Sequence, residues 1–241
     1  MIVLFTDFGV AGPYTGQMKA AVARVAPSEP VIDLMADAPT FDPQASAHLL
    51  AAAMAPFPRG AVFLCVVDPG VGSTRRAIWL EADGRIFVGP DNGLLAVIAR
   101  RSDDAVAQVI DWRPAELSAS FHGRDLFAPV AAMLAKGERP EASALPLDSL
   151  VGIDGPDDLA QVIYVDGYGN AMTGLRARGH SETAVLKVAD KRLRRARTFS
   201  DVAPGDAFWY ENALGLAEVA VNRGSAAEAL GLKVGSGIGI E

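Results

Sequence analysis

One apolar run, and the loop that ends it, constrain this chain more than any other feature. Residues 61–67 read Ala-Val-Phe-Leu-Cys-Val-Val, a short unbroken apolar stretch of the kind buried on both faces of a sheet. The run stops at a carboxylate, Asp68. Pro69, Gly70 and Gly72 then impose a tight irregular loop, which Arg75 and Arg76 close. Glycine permits positive φ and lets backbone approach a ligand closely. A strand covered on both faces needs helical crossovers, and the upstream sequence has them. Strand-like segments at residues 2–6, 31–34 and 61–67 alternate with helix-like segments at 16–26 and 43–55, the second opened by Asp42 as N-cap and Pro43 at its first position. This alternation predicts an α/β domain with a parallel sheet and helices on its faces. Ligands of such sheets bind beyond the carboxyl ends of strands, where both Asp7 and Asp68 fall.

Downstream, residues 77–81 and 85–88 read as strands joined by Asp83-Gly84, a two-residue hairpin turn. The turn cluster Pro90-Asp91-Asn92-Gly93 precedes a helix at 94–101 and a strand at 105–110. Phe121-His122-Gly123-Arg124-Asp125 precedes a helix at about 126–136, which Gly137 ends. Residues 138–158 then hold three prolines and many small or acidic side chains. The predicted organisation is therefore an N-terminal α/β domain at 1–145, a linker at 146–158 and a C-terminal domain at 159–241. The last of these reads as short strands at 160–165, 171–175, 184–188, 207–210, 216–221 and 237–240, separated by Gly, Asn and Pro turns, which suggests a small β-barrel or sandwich. The basic run at 191–197 reads as a solvated turn or strand face.

Composition narrows the partners. Among 241 residues, 22 Lys and Arg face 29 Asp and Glu, a net charge of −7 that argues against nucleic acid or an anionic membrane as the main partner. Cys65 is the only cysteine, so no internal disulfide is expected. The chain opens directly on a strand-like pattern without a basic leader, and a soluble cytoplasmic protein is the expectation.

The candidate chemistry is carried by few residues. Asp7 can accept paired hydrogen bonds from ribose hydroxyls. Asp68 is a second strand-end acid, with Arg75 and Arg76 closing its loop, and His122 stands between Phe121 and Gly123. Each also has an ordinary structural use, in a turn, an ion pair or a partly buried histidine. A second reading takes Asp7, Asp68 and Asp91 as oxygen ligands of a metal-dependent nucleoside hydrolase or phosphatase. A third is a small-molecule binder that performs no chemistry. Cys-x-x-Cys, His-Glu-x-x-His and a glycine-rich phosphate loop ending in Lys-Ser/Thr are missing from the sequence.

Seven stretches, taken in order, resemble one family: Thr6-Asp7-Phe8-Gly9, Tyr14 to Lys19, Val66 to Arg76, Pro90 to Leu95, Phe121 to Pro129, Asp166 to Asn170 and Gly215 to Asn222. It is the S-adenosyl-L-methionine hydroxide adenosyltransferase family, kin of fluorinase and chlorinase. The resemblance implies an α/β domain followed by a β-barrel, a homotrimer with substrate held between neighbouring subunits, and hydrolysis of S-adenosylmethionine to adenosine and methionine without cofactor or metal. It assigns Asp68, Arg75 and His122 to the reaction and Asp7 to the ribose. It assigns the remaining substrate contacts to Asp166, Asn170, Tyr210, Asn212, Glu218 and Val221. The chain departs from the family's usual pattern at Gly12, Ala36, Ala213 and Gly174, and the last two leave room for a binder of adenosine or S-adenosylmethionine that performs no chemistry.

Overall fold

The computed structural model describes residues 1–188 and 190–241. Its contacts divide into two units, one made of residues 1–47 and 56–157, the other of 48–55 and 158–241. The elements of the first are β1 (Ile2–Thr6), α1 (Tyr14–Val25), β2 (Val31–Met35), α2 (Pro43–Ala53, which runs on into the second), β3 (Val62–Val66), β4 (Ala77–Ala82), β5 (Arg85–Pro90), α3 (Ala96–Arg101), β6 (Val106–Ile110), α4 (Ala128–Ala135) and β7 (Ala142–Leu145).

One seven-stranded sheet orders these strands β2-β1-β3-β5-β4-β6-β7. The first four run parallel, while β4, β6 and β7 join by antiparallel pairing. The sheet is thus mixed rather than parallel throughout. The reversal comes from the Asp83-Gly84 turn, where both residues take positive φ, 51° and 70°, as a type I′ hairpin requires. The chain leaves β1 for β2 on one side and returns to β3 on the other, so a topological switch point lies between β1 and β3. The register sets Thr6 opposite Val66, which brings the carboxyl ends of these two strands side by side.

The apolar side chains of β1 and β3 explain the burial. Ile2, Leu4, Val62 and Leu64 are almost fully shielded and share one core cluster with Met18 and Val22 of α1 and Ala128, Val130 and Ala131 of α4. The segment 146–158, expected as a linker, is instead structured as far as residue 157. Leu147–Ser149 forms a 3-10 turn, Leu150 is buried, and Arg100 pairs with Asp157 at 2.9 Å. Its prolines and small residues shape turns that pack, and β7 also lies within the segment whose composition had marked a boundary.

The second unit contains β8 (Leu159–Val165), β9 (Ala171–Arg176), β10 (Val185–Val188), β11 (Lys191–Arg194), β12 (Ala207–Glu211), β13 (Leu216–Val221), α5 (Ala226–Leu230) and β14 (Ile238–Ile240). Two antiparallel sheets, β12-β13-β9-β8 and β11-β10-β14, are joined at both edges by isolated bridges, Gln161 to Gly237 and Arg195 to Trp209. The circuit closes as a small barrel around Trp209, Val162, Leu186 and Val219. The basic run forms β11, with Leu193 turned into that core and Lys191, Arg192 and Arg194 exposed. Helix α5 escapes a reading based on strand spacing, although its ends are marked. Ser225 caps it by accepting from the Glu228 amide, and Gly231 ends it in the left-handed conformation. Among the described residues no helix is long and apolar enough to cross a membrane.

Candidate active site

Asp68 follows β3 directly and is held from two sides. Its Oδ1 accepts from the Gly70 amide at 3.2 Å and is paired with the Arg75 guanidinium. A Cβ at Gly70 would push that guanidinium from its place. Gly72 takes φ +83°, and a Cβ on it would stand 2.5 Å from the Ala119 carbonyl oxygen. The two glycines therefore let the loop wrap around Arg75 while packing against the 118–121 segment. A separate latch fixes the far end of the loop. Arg76 pairs with Asp91 at 2.6 Å, Asp91 also accepts from the Val151 amide, and Asn92 Nδ2 donates to the Val67 carbonyl at 2.8 Å.

His122 precedes a π-helical turn, Gly123–Phe127, that leads into α4. Arg124 and Asp125 are structural here. Arg124 Nε and Nη2 donate to the two oxygens of Asp125 at 2.6 and 2.9 Å, and Asp125 in turn accepts from the Ser118 amide. The guanidinium hydrogen bond of Arg124 holds the Asp125 carboxyl below the usual carboxylate range. His122 is left on the wall of a cavity.

That cavity, of about 210 Å³, is bounded by Asp7, Asp68 and His122 together with Phe8, Phe41 and Phe121. Three sequence-selected residues thus meet across the switch point, and Arg75 reaches them through Asp68. Burial pushes the Asp7 carboxyl above its ordinary value, and the Asp68 charge adds to this. The Phe41 amide, donating to Asp7 Oδ2 at 3.2 Å, works in the opposite direction. Asp91 does not join Asp7 and Asp68, because Arg76 and Val151 engage both its oxygens. Among the described residues no three His, Cys, Asp or Glu side chains are grouped so as to hold a metal ion.

In the second unit, Asp166 organises the turn between β8 and β9. It accepts from the Tyr168 and Asn170 amides, both at 2.9 Å, and from Asn170 Nδ2 at 3.0 Å. With Asn170, Tyr210 and Val221 it lines a cleft of about 630 Å³, joined by Phe199 and Arg223. Glu218 and Asn212 stand elsewhere. Glu218 is 2% exposed and accepts from Tyr210 Oη at 2.5 Å and Asn212 Nδ2 at 2.7 Å. Asn212 spends its own oxygen on the Leu214 and Leu216 amides and faces a different opening, beside Arg195 and Glu211. The buried Glu218 carboxyl is raised above its normal range, and burial together with the Glu218 hydrogen bond raises the Tyr210 phenol.

Sequence reasoning did not assign Phe8, Phe41, Phe121, Phe199 or Arg223 to these walls. Phe8 and Phe121 adjoin Asp7 and His122 in the chain, so adjacency to selected residues was their only signal. Phe41 and Arg223 both adopt positive φ, 58° and 59°, which a sequence does not announce.

Paired acids at a switch point, aromatic walls and a separate barrel cleft define a two-domain protein built to hold a small, partly polar ligand. Comparison with known proteins makes this specific. Residues 2–144 match the SAM hydroxide adenosyltransferase N-terminal domain, and residues 160–239 match the corresponding C-terminal domain. The (R)-S-adenosyl-L-methionine hydrolase of Thermus thermophilus is 40% identical, with 97% of this chain and 96% of the relative covered. A conserved protein of Thermotoga maritima with a crystal structure superposes with a TM-score of 0.84 at 33% identity, covering 100% of this chain and 99% of that one. The fluorinase of Nocardia brasiliensis is more distant, 23% identical with 57% of this chain and 54% of the relative covered. The chain belongs to the SAM hydroxide adenosyltransferase family.

Proposed function

We propose that the protein hydrolyses S-adenosyl-L-methionine at C5′, releasing adenosine and L-methionine. The observation that carries this reading is the meeting of Asp68, paired with Arg75, and His122 with Asp7 around one aromatic-walled cavity. Asp7 binds the ribose hydroxyls, and the phenylalanines pack against the nucleoside. The water oxygen attacks C5′. The C5′–S bond breaks with its electron pair passing to sulfur, which leaves as the neutral thioether of methionine. Asp68 and His122 orient the water and take its proton, and Arg75 supports the developing hydroxide. Sulfonium is already a good leaving group, so no acid is needed to expel it. Charge is neutralised as hydroxide meets sulfonium, and a dry site favours that step. Halide transfer fits poorly, because Asp68 repels an anion and Gly123 has no hydroxyl to donate to one.

Asp166, Asn170, Tyr210 and Val221 complete the substrate contacts. In this reading the chain assembles as a homotrimer in which the first domain of one copy and the second of another share each substrate. No metal takes part. The decisive experiment incubates chelator-treated protein with S-adenosylmethionine, with and without chloride, and separates the products by chromatography. Adenosine and methionine are expected in both conditions, and Asp68→Asn should lower the rate by about 100-fold or more. A chlorinated nucleoside, or activity abolished by the chelator, would overturn the mechanism. Bound ligand without turnover would make the protein a sensor.

A further inference from the structure

Asp68 and His122 face a second cavity as well. It measures about 230 Å³, and Arg75, Arg76, Arg113, Leu117 and Phe127 line it as well. The arginines are anchored, Arg76 on Asp91 and Arg113 through Nη1 on the Ile110 and Trp112 carbonyls. Leu117, 39% exposed, also borders an open surface groove of about 780 Å³. Leu117 therefore lines both the groove and the second cavity.

We propose that this chamber stores the nucleophilic water and feeds it to Asp68 and His122, with Leu117 setting the size of its mouth. The proposal rests on the hydrolase reading. Two physical arguments carry it. Displacement at carbon requires the nucleophile to approach opposite the departing sulfur, and a nucleoside filling the aromatic cavity closes that side to bulk water. The chamber touches the same two water-activating residues from a different side. Its three arginines are set against two carboxylates, Asp68 and Asp91, so the lining keeps a net positive charge that repels a sulfonium or ammonium, while guanidinium N–H groups can donate to water oxygens. At roughly 30 Å³ of liquid per molecule, it has room for several waters.

The test uses methanol, a neutral nucleophile one carbon larger than water. Its oxygen would bond to C5′ as the C5′–S bond breaks and its proton passes to Asp68 and His122, giving 5′-O-methyladenosine and methionine. Wild type, Leu117→Ala and Leu117→Trp are assayed with saturating S-adenosylmethionine in dilute methanol, and melting curves are recorded for each. Leu117→Ala is expected to raise the ratio of 5′-O-methyladenosine to adenosine about tenfold, the scale on which one carbon is discriminated by a tight pocket. Leu117→Trp is expected to lower kcat about tenfold with KM little changed, because it restricts water and not substrate. A purely structural role for Leu117 would lower activity in both variants without altering the product ratio, and that result overturns the proposal. A wild-type rate in Leu117→Trp also overturns it. Absence of adenosine from the wild type overturns the hydrolase reading, and this inference with it, whereas an active wild type whose Leu117 variants keep its product ratio rejects the chamber alone.

Discussion

Asp7 can accept from both ribose hydroxyls at once only while ionised, yet its partly buried position favours the protonated form. Its pKa lies above 3.8, so adenosine affinity should fall on acidification at a higher pH than an ordinary carboxylate would impose. Asp7→Asn should remove that step, and calorimetric titration of adenosine against pH would check it. Glu218 poses a different balance. Its folded pKa lies above 4.5, so between 4.5 and the folded value the native state binds more protons than the unfolded chain. Stability contributed by this group is therefore present below 4.5 and lost as pH rises through the folded pKa. Glu218→Gln should abolish that slope. Its amide oxygen would keep accepting from Asn212 Nδ2 while its nitrogen donates to Tyr210 Oη, so the cost is that of replacing hydrogen bonds to a carboxylate with neutral ones, about 1 kcal/mol. Thermal melting across the acidic and neutral range separates the two effects.

The 68–76 loop works as an element because glycine lets it fold back on its own arginine and the Arg76–Asp91 pair ties down its end. Gly72→Ala would meet both unfavourable φ and the Ala119 carbonyl oxygen at 2.5 Å. A loss of about 1–3 kcal/mol is expected from the strained conformation, with the catalytic rate falling further than stability because Asp68 and Arg75 shift together. Denaturant unfolding and steady-state kinetics on the same variant would show this. The π-helical turn at Gly123–Phe127 has a comparable role, presenting His122 while Arg124 and Asp125 close the turn's outer side.

For the whole molecule, the barrel depends on Trp209, which is fully buried, donates from Nε1 to the Ala184 carbonyl at 3.1 Å and lies beneath the Arg195 guanidinium. Trp209→Ala should cost about 3–5 kcal/mol, the usual range for losing a large core aromatic. If substrate is shared between copies, each copy contributes a different half. Mixing inactive Asp68→Asn with a Tyr210→Ala chain that binds poorly should then recover activity on co-refolding, since mixed assemblies contain some sites free of both changes. Independent sites within single chains predict no recovery.

The sequence by itself determined what local pattern controls. The βαβαβ alternation, the I′ turn at Asp83-Gly84, the strand spacing of the second domain and the motifs holding Asp7, Asp68, Arg75 and His122 are all readable, because period, turn chemistry and residue type are local properties. Only tertiary structure decided the rest. Strand order brings Asp7 and Asp68 together, and the register of β1 against β3 is a long-range pairing that no short window encodes. The prolines of 146–158 mark turns equally in a linker or a packed segment, and contacts with Arg76 and Arg100 make them the latter. Glu218 and Asn212 sit in a stretch that alternates like a half-buried strand, but burial and hydrogen bonding turn them behind Tyr210, away from the cleft. A side chain's type states what chemistry it can perform; its packing decides whether it meets a ligand or supports the residue that does.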